Sequence, residues 1–236
     1  MNAQACLAIV VVLAALTGCA DNPPAAAWSM DHYLASPAEL MRVRSVAFVE
    51  LASPLADAPR AQLLGQSLYE DVQHRGLFSV QYVARDDFRC RSLPLDVNRQ
   101  MDYRQMQQIR QALGCDAIIL GEMSHFQQYP RARAGLHLCM VDLREGTVLW
   151  AVKHAWDGSD RETTRRIRKY WRENVRDGYE PANEDLVQMS PHWFLKFVSH
   201  EAVSTLPTRD ELLRPPATSH EPPGSAEATS GKQATR

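Results

Sequence analysis

The side chains in this sequence that could do chemistry fall into three groups. His137, Cys139 and His154 are residue types that bind zinc or copper. They sit on two apolar runs, residues 134–143 and 147–156, joined at Arg144-Glu145-Gly146. A two-residue turn at Glu145-Gly146 sets His137 opposite His154, with Cys139 on the same face, because strand side chains repeat every second residue. A three- to five-residue turn with a glycine bulge shifts the register by one and separates them. The chain has no CxxC or HExxH spacing, so two half-buried sheet histidines without a metal are expected. Ser124 and His125 could join an aspartate in a hydrolase triad, but no GxSxG elbow supports it. The sequence thus nominates no catalytic residue, metal or cofactor, and the expected protein is not an enzyme.

The third group is cationic. The segment DRETTRRIRKYWRENVRD places Arg161, Arg165, Arg168 and Arg172 near one face of a helix. Ile167, Tyr170, Trp171 and Val175 form its packing edge. Such a face suits an anionic partner: lipid headgroups, a wall polymer or an acidic protein surface. It equally suits a solvated face whose charges pair with Glu162, Glu173 and Asp177. Trp150, Trp156, Trp171 and Trp193 read mostly as core or packing edges.

The elements that must position these groups are legible in the apolar pattern. Val43–Val49 is β-branched and reads as a buried strand. Leu63, Leu64, Leu68 and Val72 recur at helical spacing between Pro59, suited to a first turn, and Gly76, suited to a helix end. Leu77–Val83 reads as a second strand, and residues 84–97 as a charged loop. Asn98 can cap a helix over Arg99–Leu113, ended by Gly114. Cys115–Gly121 is a buried strand that continues, more polar, to Tyr129. Residues 134–143 and 147–156 make a hairpin. Asp160 can cap the basic helix, and Ser190-Pro191 opens a last helix to about Leu206. The predicted fold is α/β: a three-layer mixed sheet of about five strands with flanking helices. Its first three strands pair in parallel and the hairpin adds antiparallel strands.

The ends of the chain have a different composition. The apolar run Ala5–Leu16 is shorter than the ~20 residues a bilayer needs. It fits a signal-peptide core of roughly 7–15 residues, although Met1–Gln4 carries no Lys or Arg. Leu16-Thr17-Gly18-Cys19 resembles the lipobox of bacterial lipoproteins. That resemblance implies cleavage before Cys19, a lipid on its sulfur and an acylated amine. It makes residues 1–18 a signal peptide and gives the chain a membrane partner through lipid on Cys19. Several acyl chains anchor stably, at ~0.8 kcal/mol per buried CH₂. Ala20 rather than Asp follows Cys19, which in such lipoproteins leans toward the outer membrane, facing the periplasm; Asp21 weakens that lean. Residues 19–40 are Pro- and Ala-rich and read as a lipidated tether, with a possible helical turn at Pro37–Met41. Residues 41–206 form the domain, and residues 207–236 a disordered tail. The net charge of −2 gives no reason to expect nucleic acid. A periplasmic setting permits one disulfide among Cys90, Cys115 and Cys139. Cys115 and Cys139, in strands, read as buried, and Cys90, in a polar loop, as the free or labile thiol.

The block GCDAIILGEM…LHLCMVDLREGTVLWA resembles CsgG-like and TolB amino-terminal-like lipoprotein domains. The matching positions are Gly114, Asp116-Ala117, Gly121, Val141-Asp142, Gly146 and Val148-Leu149-Trp150. The likeness runs over roughly residues 43–206 and implies a three-layer α/β domain of envelope machinery without catalytic residues. The expected protein is therefore a lipid-anchored accessory that binds an envelope or secretion protein. The alternatives are a ring-forming, homo-oligomeric secretion or transport subunit of the CsgG type and a cell-wall hydrolase. Membrane hairpins need strands of ~9–11 alternating residues. Residues 84–97 are too charged and Pro-broken to supply one.

Overall fold

The computed structural model describes residues 30–54, 57–175 and 190–214. Residues 1–29, which hold the expected signal peptide, Cys19 and most of the expected tether, residues 55–56 and 176–189, and the expected tail beyond 214 lie outside the described residues. The described residues from His32 onward form one compact unit. Its strands are β1 (His32–Leu34), β2 (Ser45–Val49), β3 (Ser79–Val83), β4 (Ala117–Gln127), β5 (Arg133–Asp142) and β6 (Val148–Asp157). Its helices are α1 (Pro37–Leu40), α2 (Ala58–His74), α3 (Tyr103–Leu113), α4 (Arg161–Asn174), α5 (Pro191–Ser204) and α6 (Arg209–Leu213).

The sheet runs β1-β6-β5-β4-β2-β3. β2 pairs in parallel with β3 and β4, and the other pairs are antiparallel. The mixed α/β architecture with flanking helices is the one expected from the sequence, with one more strand. β1 comes from the end of the segment read as tether. Its three residues are too few for a periodic pattern, and they form only because β6 offers an edge.

β2 shows why the sheet has two covered faces. Alternate residues point to opposite sides. Ala47 and Val49 pack with Met106, Ile109 and Leu113 of α3. Phe48 faces the other way, edge-on to Tyr69 of α2 at 6.4 Å. α5 lies on that second face. Trp150 and Trp156 of β6 donate their indole N–H groups to Thr205 and Glu201, each at 2.8 Å. Phe194, Leu195, Phe197, Val198, Ala202 and Val203 of α5 are all buried, as expected of a helix apolar nearly all round. α4 rests on α5 through Trp171–Trp193 and Tyr170–Phe197 ring contacts.

Helix ends correct two expectations. α3 is capped by Asp102, not Asn98. Its carboxylate accepts from the Gln105 N–H at 2.8 Å, and the Gln105 side chain accepts from the Asp102 N–H at 2.9 Å. A reciprocal box satisfies two orphan donors, which a lone Asn four residues earlier cannot. α3 stops at Gly114, whose φ of 64° is a left-handed cap. At the C-terminus the chain stays ordered past Pro207. Thr208 and Glu211 cap α6, and the Arg209 N–H donates to the Arg75 carbonyl.

The two halves of the sheet are tied at Asp116. Its carboxylate accepts from the backbone N–H groups of Arg44 and Ser45 at 3.0 and 3.2 Å, fixing the start of β2 beside the start of β4. Burial alone would raise its pKa. The bonds from Arg44 and Ser45, helped by Arg144, outweigh that and hold it below the usual carboxylate value. Hydrogen bonds to a charged group contribute about 1.5–3 kcal/mol. Asp116→Ala is therefore expected to destabilise by about 2 kcal/mol in urea unfolding at pH 7. A carboxylate with a lowered folded pKa stabilises above its unfolded pKa of about 3.9 and loses that contribution as pH falls through the folded value. The gap between wild type and variant should narrow below pH ~4. A gap that stayed constant from pH 7 to pH 2 would contradict this origin.

Candidate binding site

α3 and the loop 84–102 cover one face of β3, β2 and β4 and stop short of β6. Arg85 holds the loop down: its Nε donates to the Glu50 carbonyl at 2.9 Å and its Nη1 to the Leu95 carbonyl at 3.1 Å. Cys90 and Leu95 insert into the core below it. Where this cover ends, a groove of about 320 Å³ opens on the sheet. Met101, Met106, Leu120, Cys139, Val141 and Val148 give it apolar walls, and Asp96, Asn98, Arg99 and Gln100 a polar rim.

The rim continues along β4, β5 and β6 as a row of polar side chains. Glu122 pairs across the ladder with His137, and His137 with Lys153. Asn98 donates from Nδ2 to Glu122 at 2.6 Å, and its Oδ1 lies 3.2 Å from His137 Nδ1. Burial, and then the neighbouring Lys153, push the His137 pKa down. A neutral His137 can therefore donate from Nδ1 to Asn98. Lys153 and Ala155 beyond it are exposed. This half of the sheet face has a floor, a rim and fixed polar groups, which is the anatomy of a binding surface.

The metal trio does not assemble. The turn is the longer of the two expected: the Gly146 N–H donates to the Asp142 carbonyl, and Gly146 has φ 73°. Leu149 is the extra residue, since Val141 pairs with Val148 but Met140 with Trp150. His137 consequently faces Lys153, while His154 faces Leu136 on the opposite side of the sheet. There its ring meets Trp156 edge-on at 4.8 Å. Among the described residues no cluster could hold a metal ion. Ser124 and His125 do touch, at 3.3 Å, but both are exposed. Cys90 is 5 % exposed rather than the labile thiol expected of it, and burial raises its pKa. Burial pushes Cys115 further, to about 11. The half-buried cysteine is Cys139, in the groove, and all three are free.

In α4, Arg161, Arg165, Arg168 and Arg172 do share the exposed face, and Thr163, Ile167 and Trp171 the buried one. Glu162 clasps Arg165 with two contacts of 2.9 Å. Arg166 points inward instead, which the charge pattern alone did not separate. It donates to Glu201 of α5 at 2.8 Å, beside the bond from Trp156; Glu201 is buried and the Arg166 side chain is 11% exposed. Burial raises the Glu201 pKa against the opposing pull of Arg166 and Trp156. The sequence signal for this pair is that Glu201 is the single acidic residue of α5. Removing one partner of a buried pair strands the other charge, at about 3–5 kcal/mol. Glu201→Ala should lose stability in that range of about 3–5 kcal/mol by denaturant unfolding, and adding Arg166→Met should restore part of it. Additive losses in the double variant would refute the coupling.

No family model matches this chain, and no curated protein matches it. Solved structures do. The chain is similar to the PelC dodecamer from Paraburkholderia phytofirmans, at 11% identity and TM-score 0.47 over 77% of this chain and 98% of that one. It is similar to lipoprotein GNA1162 from Neisseria meningitidis, at 14% identity and TM-score 0.39 over 57% and 97%. A third is LpoB from E. coli, at 13% identity and TM-score 0.34 over 50% and 62%.

Proposed function

We propose that this chain is a lipid-anchored, non-enzymatic protein of the bacterial envelope whose α/β domain holds a protein partner. The observation that carries the binding role is the open half of the sheet. Its groove joins apolar walls to a fixed polar rim. The anchoring role rests on Leu16-Thr17-Gly18-Cys19 at the end of a signal-like run. In this reading Cys19 carries the lipid, the outer membrane is the address, and the domain works in the periplasm. The resemblance to CsgG-like and TolB amino-terminal-like domains favours the same setting. Tethering raises the effective concentration of the domain near a membrane-bound partner.

Three experiments test this. Cys19→Ala should abolish labelling by radioactive palmitate and leave uncleaved precursor in the cell; persistent labelling would sink the anchoring claim. A photo-crosslinker at Val148 or Lys153, beside the groove, should capture an envelope protein that the same probe at exposed Phe88 does not. Capture of only a second copy of this chain would favour the ring-forming reading instead. For α4, Arg161, Arg165, Arg168 and Arg172 form the proposed anionic-partner patch. Reversing Arg165, Arg168 and Arg172 to Glu should weaken retention on anionic vesicles or on the captured partner. Unchanged retention in both would leave that face as a solvated one.

A further inference from the structure

The ladders of the sheet end at different levels. One row across it is His32–Val152–Leu138–Gly121. β1 begins at this row, and β2 ends beside it, with Phe48 opposite Ile119. β4, β5 and β6 continue past it as Glu122–Gln127, Arg133–His137 and Lys153–Asp157. At ~3.3 Å per residue this three-stranded arm runs about 17–20 Å past the row, with one face packed under α5 through Trp156. β1 runs antiparallel to β6, so its first residue, His32, faces the arm. The chain therefore comes into the sheet from the side to which the arm points.

The tip of the arm has a defined chemistry. Residues 127–133 read Gln-Gln-Tyr-Pro-Arg-Ala-Arg, with two arginines and no acidic residue. Tyr129 is 84 % exposed, the most exposed of the large apolar side chains in the described residues. Nothing in the core requires an aromatic there. Ala132 accepts from the Gly158 N–H at 2.8 Å, which ties the tip to the start of α4 and to Arg161. Arg133 is held by Asp157 at 2.9 Å and is still about half exposed. A tyrosine flanked by arginines is the combination that settles at a membrane–water interface: the ring lies among headgroups and the guanidinium groups meet phosphates. The opposite end, with the β5–β6 turn, carries Glu145 and an Arg42–Glu145 ion pair.

The length of the tether makes the two features meet. About 13 residues of chain separate Cys19 from His32, which as a coil average roughly 20 Å and reach at most ~45 Å. The arm spans nearly the average distance. We infer that the Tyr129–Arg133 tip docks in the headgroup layer of the membrane that carries the anchor, so that the domain stands on the bilayer in one orientation. This rests on lipid attachment at Cys19.

The test uses the full lipidated chain in vesicles of phosphatidylethanolamine and phosphatidylglycerol. Tyr129→Trp should add fluorescence that brominated phospholipids quench. Tyr103→Trp should add fluorescence that they do not. Tyr103 is 65 % exposed, one turn before Met106, which lines the groove with Gly146 of the distant turn. Quenching at 129 alone supports docking. No quenching at 129, or equal quenching at both positions, overturns it. Mass analysis of the same sample separates the two ideas: an unmodified Cys19 defeats the anchoring claim itself, whereas a lipidated Cys19 with an unquenched tip defeats only the docking.

Discussion

β4 must satisfy two ladders of opposite sense. Its first residues bond in parallel to β2, and its whole length bonds antiparallel to β5. Parallel pairing requires a crossover of a dozen or more residues, and the run from β3 through the loop and α3 supplies it. Antiparallel pairing can be closed by a short turn, and it can run on as far as both strands allow. β2 and β3 therefore stay at five residues, while β4, β5 and β6 reach ten or eleven. The long antiparallel part outgrows the helices that cover the short parallel part. The open half-face with its groove and the projecting arm both follow from that mismatch.

Asp116 sits where the two regimes join. It follows Gly114, the left-handed end of α3, and precedes the first residue of β4. Its carboxylate fixes β2 against β4 at the end where both strands begin. The Gly-Cys-Asp-Ala order is thus a single local device: terminate a helix, turn, clasp the neighbouring strand, begin the sheet. This is why that block was the most legible part of the sequence.

Elsewhere legibility followed the range over which each feature is decided. Strand and helix identities came through because apolar periodicity extends over several residues, as in α2 and β2. The hairpin register did not, because one bulged residue at Leu149 moves every upstream partner by one and turns His154 to the other face. The α3 cap is ambiguous in the sequence because Asn98 and Asp102 are both capping types, and only the Gln105 reciprocal bond distinguishes them. β1 leaves no sequence signal because His32-Tyr33-Leu34 has no pattern of its own and depends on the β6 edge. In the groove, Met101, Met106 and Cys139 looked like core positions one by one. That they line a cleft depends on where the loop 84–102 ends, and the sequence of the loop does not carry that.

The same logic explains why charge alone could not sort the basic helix. Arg165 and Arg166 are neighbours in sequence but lie about 100° apart around a helix axis. One meets Glu162 in solvent, and the other meets Glu201 beneath the helix. The buried member pins α4 to α5 and, through Trp156, to the outer end of the arm. This fixes the relation between the arginine face and the tip. His137 and Lys153 lie on the stretch that leads from the groove to Tyr129, so a partner held there would sit within about 20 Å of the tip. If the tip touches headgroups, that distance is the height of the binding face above the bilayer. A partner held there would work within about 20 Å of the bilayer surface.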